Sequence, residues 1–256
     1  MQIDRLSLRG FRNYEDAQAQ FVPGVNLLVG GNANGKTNLL EAVSYLSTGR
    51  SFRTRREAEL IRFGADFAEL RAQVQSQERT RELRAVLFSG RRPRQLWLAG
   101  VKQRSRAALS GVLTSVLFCP EDLMILKKGA SGRRRLMDGV ICQLRPNYEA
   151  ALAEYGRLLD QKSALLRERY DNPSLLQVLP EYDLRMAQTG ALVISYRARY
   201  VKALAQEAAR YHREFSGDSE SLELTYRTVS TVTDPFAPPE TLCAQLQEHQ
   251  RSHARA

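Results

Sequence analysis

The chain has 256 residues, 43% of them hydrophobic, which suits one large domain or two smaller ones with a sizeable core. No window approaches ~18 consecutive apolar residues, which excludes a helical membrane span, and Met1-Gln2-Ile3-Asp4-Arg5 carries charge where a secretory signal needs an apolar run, so the expected location is cytoplasmic. The 38 Lys plus Arg against 28 Asp plus Glu give a net charge of +10 and a pI near 9.8, a surplus that favours a polyanionic partner.

In chain order, residues 2–8 alternate with Ile3, Leu6 and Leu8 apolar and predict an edge strand. Val25 to Val29 is an apolar run of strand type ending at Gly30, and Lys36 to Leu46 switches to helical period with Leu39, Leu40, Val43 and Leu46 on one face. Between Phe67 and Lys102 short strand-like runs (70–74, 83–88 and 95–98) are separated by turns such as Ser89-Gly90 and Ala99-Gly100, which predicts an antiparallel meander with Trp97 packed in it. Val112 to Phe118 predicts a buried strand closed by Pro120. Helix-favouring stretches follow at 134–144, 148–170 and 182–215, broken by Asn172-Pro173 and Pro180, and they predict a helical lobe built on an αα-hairpin. Leu222 to Tyr226 returns to strand alternation, and a last helix follows Pro238-Pro239, with His249 and His253 on a solvated face.

The most informative segment is Gly30-Gly31-Asn32-Ala33-Asn34-Gly35-Lys36-Thr37, which satisfies G-x-x-x-x-G-K-[ST] between a predicted strand and a predicted helix. Gly30 and Gly35 permit a backbone that turns successive N–H groups towards phosphates, and the helix N-terminus adds its partial positive charge. Lys36 is suited to the β- and γ-phosphates and the Thr37 hydroxyl to Mg²⁺, so the expected cofactors are ATP and Mg²⁺. The loop alone does not distinguish kinases, GTPases and transport or repair ATPases. Cys119, Cys142 and Cys243 form no CxxC and read as reduced thiols rather than a zinc site.

Leu6-Ser7-Leu8-Arg9-Gly10-Phe11-Arg12-Asn13-Tyr14 resembles the opening strand of the SMC-like ABC ATPase heads. In RecF proteins a Phe-Arg-Asn-Tyr run is followed by a P-loop, then by a run similar to Asn38-Leu39-Leu40-Glu41-Ala42 and a stretch like Gly49-Arg50-Ser51-Phe52-Arg53-Thr54. The block Pro120-Glu121-Asp122-Leu123 with Lys127 and Arg133-Arg134-Arg135-Leu136-Met137-Asp138 is similar to a RecF block at the same spacing, with Leu136 where the family carries an aromatic residue.

The resemblance implies an α/β fold: a P-loop ABC-type, SMC-head-like ATPase lobe at 1–130 with its meander, an inserted helical lobe at 131–215, and a truncated return to the first lobe at 216–256. It implies ATP-dependent binding of single-stranded and gapped or junction DNA in recombinational repair and replication. Family partners are RecO and RecR, which assist RecA loading, and nucleotide drives a homodimer in the family. No apolar run ending in paired acids occurs after residue 180, so the signature, Walker B and D-loop segments are not found and hydrolysis is expected to be impaired. The alternative is a non-hydrolysing, nucleotide-gated DNA- or partner-binding module. A small-molecule kinase fits neither the opening strand nor the Pro120 block.

Further candidates carry two readings each. Arg12 and Asn13 touch nucleotide or form a solvated turn. Glu121 and Asp122 sense γ-phosphate and metal, or favour a helix N-terminus. Arg133, Arg134 and Arg135 contact DNA or pair with Asp138, since cations near a helix start run against its dipole. Arg50, Arg53, Arg55 and Arg56 face DNA or a partner protein.

Overall fold

The structure is a computed structural model that describes every residue except 77–78, 126, 128, 170–171 and 255–256, and leaves the side chains of Glu121, Pro173, His253 and Ala254 undescribed. The chain divides into two units, Met1–Arg133 with Cys142–Pro146, and Arg134–Ile141 with Asn147–Ala256. No helix among the described residues is long and apolar enough to cross a membrane.

The first unit is one antiparallel sheet of six strands in the order β2-β1-β3-β4-β5-β6. They are β1 (Gln2–Phe11), β2 (Tyr14–Gln20), β3 (Phe67–Ser76), β4 (Arg79–Phe88), β5 (Gln95–Leu98) and β6 (Val101–Gln103). The meander from residue 67 is as expected, but β1 is not an edge strand: β2 covers its free side, joined by the two-residue turn Arg12-Asn13. The sequence of β2, Tyr-Glu-Asp-Ala-Gln-Ala-Gln, has no β-branched residue, so its strand state comes from pairing rather than propensity. Alternation puts Leu6, Leu8, Leu70, Ala72, Val74, Leu83, Ala85 and Leu87 on one face, where α1 (Lys36–Thr48) packs Leu39, Ala42, Tyr45 and Leu46 against them.

The opposite face is charged. Arg71 and Arg84 are direct cross-strand neighbours, and their repulsion is relieved by Glu69, which accepts from both, and by Glu82 beside Arg71. Burial pushes the Glu69 carboxyl up, but the hydrogen bonds and charges of Arg71 and Arg84 outweigh it and hold its pKa below the usual carboxylate value. Trp97 lies opposite Arg84 with the guanidinium 4.4 Å above its ring, so it packs on this polar face and not in the core.

Three segments expected as strands join no sheet. Residues 25–29 form none, and Val25 and Val29 are 92% and 82% exposed. Residues 112–118 are held instead largely by side chains: the Ser115 N–H donates to Gln143 Oε1 at 2.8 Å, Gln143 Nε2 donates to the Ser115 carbonyl at 3.3 Å, and the Ser115 hydroxyl shares a hydrogen bond with that of Ser47 at 2.5 Å. Residues 222–226 keep alternating half-burial, with Tyr226 packed beside Ala191, Ile194 and Leu242. Alternation supplies a preference for extended backbone, but a ladder needs a neighbouring strand to pair with.

The second unit is helical. After α2 (Ala130–Leu144), α3 (Pro146–Glu168) and the 38-residue α4 (Leu179–Ser216) form the expected hairpin, tied by Lys162 to Asp183 and by Arg185 to Glu154. At ~1.5 Å per residue α4 is about 57 Å long. Gly190 lets neighbours approach α4: a Cβ there would meet Leu246 of α5 (Pro239–Ala254) at 3.1 Å and Tyr155 of α3 at 3.3 Å.

Asp138 of α2 pairs with Arg197 of α4, with Nε donating to Oδ1 and Nη2 to Oδ2, both at 2.8 Å. Tyr148 donates to the same carboxylate, so Asp138 serves the helical packing rather than the neighbouring Arg133–Arg135 run. Burial and the hydrogen bond to Asp138 raise the Tyr148 pKa, against Arg197, which lowers it; burial likewise raises that of Tyr45 in the first unit.

The side chains of Arg197 and Asp138 are only 15% and 13% exposed. Asp138→Ala should therefore cost about 3 kcal/mol in urea unfolding by leaving Arg197 uncompensated, while replacing both with apolar residues should cost less. Because the folded pKa values of Tyr45 and Tyr148 lie above their unfolded value near ~10, the folded state holds more protons once pH passes that value. Stability is then full below pH ~10 and declines as pH rises further. Unfolding midpoints across an alkaline pH series check the sign.

Candidate nucleotide-binding site

The loop 30–37 leads directly into α1, whose N-cap is Gly35 at φ +90 with no side-chain cap and no acid in the first turn. The first-turn N–H groups therefore have no competing carboxylate, which suits an anion. Lys36 Nζ donates to the carbonyls of Gly30 at 2.6 Å and Gly31 at 2.7 Å, holding the ammonium against the loop backbone. Thr37 is exposed one position further on. Ala33 also takes a left-handed conformation, at φ +66.

The β1–β2 turn buttresses this loop. Tyr14 donates its hydroxyl hydrogen to the Gly35 carbonyl at 3.2 Å, and a Cβ on Gly35 would stand 2.8 Å from the Asn13 amide and 2.9 Å from the Tyr14 oxygen. Only glycine combines that φ with that approach. Asn13 also accepts from Asn38 Nδ2 at 2.8 Å, and Asn38 Oδ1 accepts from Arg53 Nη1 at 2.7 Å.

Behind the loop lies Glu41, fully buried on α1. Arg12 grips it with Nε on Oε2 at 2.9 Å and Nη2 on Oε1 at 2.8 Å, while Nη1 donates to the Glu59 carbonyl at 2.8 Å. Ser51 donates to Oε1, and Arg53 Nη1 lies 3.5 Å from Oε2. Arg12 is itself left-handed at φ +53, a conformation uncommon for a non-glycine residue and secured here by these contacts.

The structure thus brings together Gly30–Thr37, Asn13, Asn38 and Arg53, with Arg12 turned onto Glu41. Arg50, Arg55 and Arg56 are exposed on the segment that follows α1. Arg133, Arg134 and Arg135 are exposed on α2. Asp122 accepts from the Cys119 N–H at 3.0 Å and from its thiol at 3.1 Å, closing its own turn; the Glu121 side chain lies outside the described residues. Sequence reasoning missed Glu41, Asn38 and Ser51. A signal was available for Glu41, which lies one helical turn before Tyr45, on the same face as that aromatic residue.

Residues 2–92 match the RecF/RecN/SMC N terminal domain. The chain is 40% identical over 248 residues to the DNA replication and repair protein RecF of Symbiobacterium thermophilum, covering 96% of this chain and 65% of that protein. It is 38% identical over 260 residues to the protein of the same name from Synechococcus sp. strain JA-2-3B'a(2-13), covering all of this chain and 67% of the relative. A solved structure described as the recombination mediator protein RecF-ATPrS in the RecFOR pathway superposes with a TM-score of 0.89 at 28% identity, covering 98% of this chain and 67% of that one. A second, described as RecF-ATP in the same pathway, superposes at 0.84 with the same identity and coverage. The chain therefore spans about two thirds of the length of these relatives.

Gly35→Ala should lower stability by more than Gly24→Ala. Both positions have positive φ, but nothing lies within 4 Å of a Cβ at Gly24. A difference above about 1 kcal/mol in urea midpoints is expected, and equal losses would mean that the Asn13–Tyr14 contact yields freely.

Proposed function

The chain belongs to the RecF family, and we propose that it binds ATP with Mg²⁺ through Gly30–Thr37 and uses that binding to control contact with DNA. The single observation that carries this reading is the uncapped, acid-free start of α1 behind a loop whose lysine is already drawn onto it. An anion placed there gains backbone N–H donors, the helix dipole and the Lys36 charge together. Asn13 and Asn38 stand beside the same loop and are suited to orient the nucleotide, and the Thr37 hydroxyl is suited to the cation. Mg²⁺ would neutralise charge between phosphate oxygens when bound. The net charge of +10 and the exposed Arg50, Arg55 and Arg56 support a polyanionic partner.

The proposed biological role is that of the family: binding single-stranded and gapped or junction DNA in repair and replication, with RecO and RecR as partners in loading RecA. A second reading is nucleotide-gated binding without turnover. It is favoured by the commitment of Glu41, the acid on the P-loop helix, to Arg12, Ser51 and Arg53 rather than to the loop.

Binding of a fluorescent ATP analogue, phosphate release with and without gapped DNA, and the same assays on Lys36→Ala test both readings. Lys36→Ala should weaken nucleotide binding about 10- to 100-fold, the worth of a charged hydrogen-bonding group. Binding without release supports the gated module; release that is stimulated by DNA and lost in Lys36→Ala supports an ATPase. If Arg50, Arg53, Arg55 and Arg56 each neutralise one phosphate, a fourfold rise in salt should weaken DNA binding about 100-fold. A flat salt series would overturn the electrostatic account.

A further inference from the structure

We infer that Glu41 is a positioning residue that couples phosphate-loop occupancy to the setting of the Arg50–Arg56 segment, an inference that rests on the nucleotide reading above. Glu41 touches neither the loop nor solvent, yet two hydrogen-bonded routes run from it. The first runs outward to the arginine segment. Ser51 donates to Glu41 Oε1 at 2.5 Å, and the same hydroxyl oxygen accepts the N–H of Arg53 at 2.9 Å and of Thr54 at 3.0 Å. Thr54 Oγ1 in turn accepts the Arg56 N–H at 3.1 Å and donates to Glu59 Oε2 at 2.6 Å. Residues 51–56 are therefore folded by a series of side-chain hydroxyls rooted on one buried carboxylate.

The second route returns to the loop. Arg53 joins Asn38 at 2.7 Å, Asn38 joins Asn13 at 2.8 Å, and Asn13 abuts Gly35. Arg12, one residue before Asn13, is clamped bidentately on Glu41. The circuit thus closes on Gly35 and Asn38 at the start of α1, where a phosphate would bind, and on Glu41 in the following turn of the same helix. Among the described residues Glu41 is the one anion in direct contact with Arg12, Arg53 and Ser51, so their positions depend on its charge and not only on its volume. A shift of the first turn on phosphate binding moves Asn38 and Glu41 together, and with them Ser51 and Arg53. The consequence is reciprocal: nucleotide and polyanion change each other's affinity by one common factor.

The test uses the full chain and measures the dissociation constant of a fluorescent ATP analogue with and without a gapped DNA duplex, and of the labelled duplex with and without ATP. The unaltered chain should give a coupling factor of about fivefold or more, the same from both directions. Glu41→Gln and Ser51→Ala should each bring it below about twofold. A merely structural role for Glu41 weakens both ligands equally and leaves the factor unchanged, and that outcome overturns the inference. Circular dichroism melts accompany both variants; if Glu41→Gln fails to fold, Ser51→Ala, which removes one hydroxyl, decides. A factor of one in the unaltered chain that still binds nucleotide overturns the coupling alone, whereas loss of nucleotide binding in the unaltered chain overturns the functional reading as well.

Discussion

A carboxylate wholly withdrawn from water must find its compensation inside the protein, and in the first unit that constraint falls on Glu41. Its partners come from two places in the chain, Arg12 in the β1–β2 turn and Ser51 and Arg53 after α1, with α1 itself carrying the acid. Satisfying it joins the β1–β2 turn, α1 and the arginine segment. The left-handed backbone of Arg12 follows from this requirement, because the guanidinium reaches the acid bidentately while the turn still closes the β1–β2 hairpin.

The loop 30–37 is built on that frame. Gly35 accepts the close approach of Asn13 and Tyr14, so the hairpin turn sets the backbone from which α1 departs. Glycine is required at that point for two separable reasons, its φ and the space. The helix then starts without a side-chain cap, leaving its first N–H groups for an anion. Chemistry at such a site is mostly positioning and charge, which is why the residues that hold the loop matter as much as those that face the ligand.

The helical unit solves the same kind of problem differently. Asp138, Arg197 and Tyr148 come from α2, α4 and α3, and both carboxylate oxygens of Asp138 accept hydrogen bonds within the cluster. One polar cluster thereby ties three helices together. Elsewhere polar side chains stand in for missing ladders, as where Gln143 binds both backbone groups of Ser115.

The meander, the helical hairpin and the glycine-rich turn into α1 were legible from local pattern, because alternation, helical period and the glycine spacing each encode geometry over a few residues. The RecF resemblance was legible for the same reason, through short blocks in fixed order. Whether residues 25–29, 112–118 and 222–226 pair as strands was not legible, since pairing depends on a neighbour that no local pattern specifies. Nor was the strand state of β2, which is imposed by β1. The partners of the charged residues were decided by tertiary structure alone. Asp138 chose Arg197 over the adjacent arginines, and Arg12 chose Glu41, because a buried charge pairs with whichever opposite charge the fold brings within hydrogen-bond reach, and sequence separation does not enter that energy.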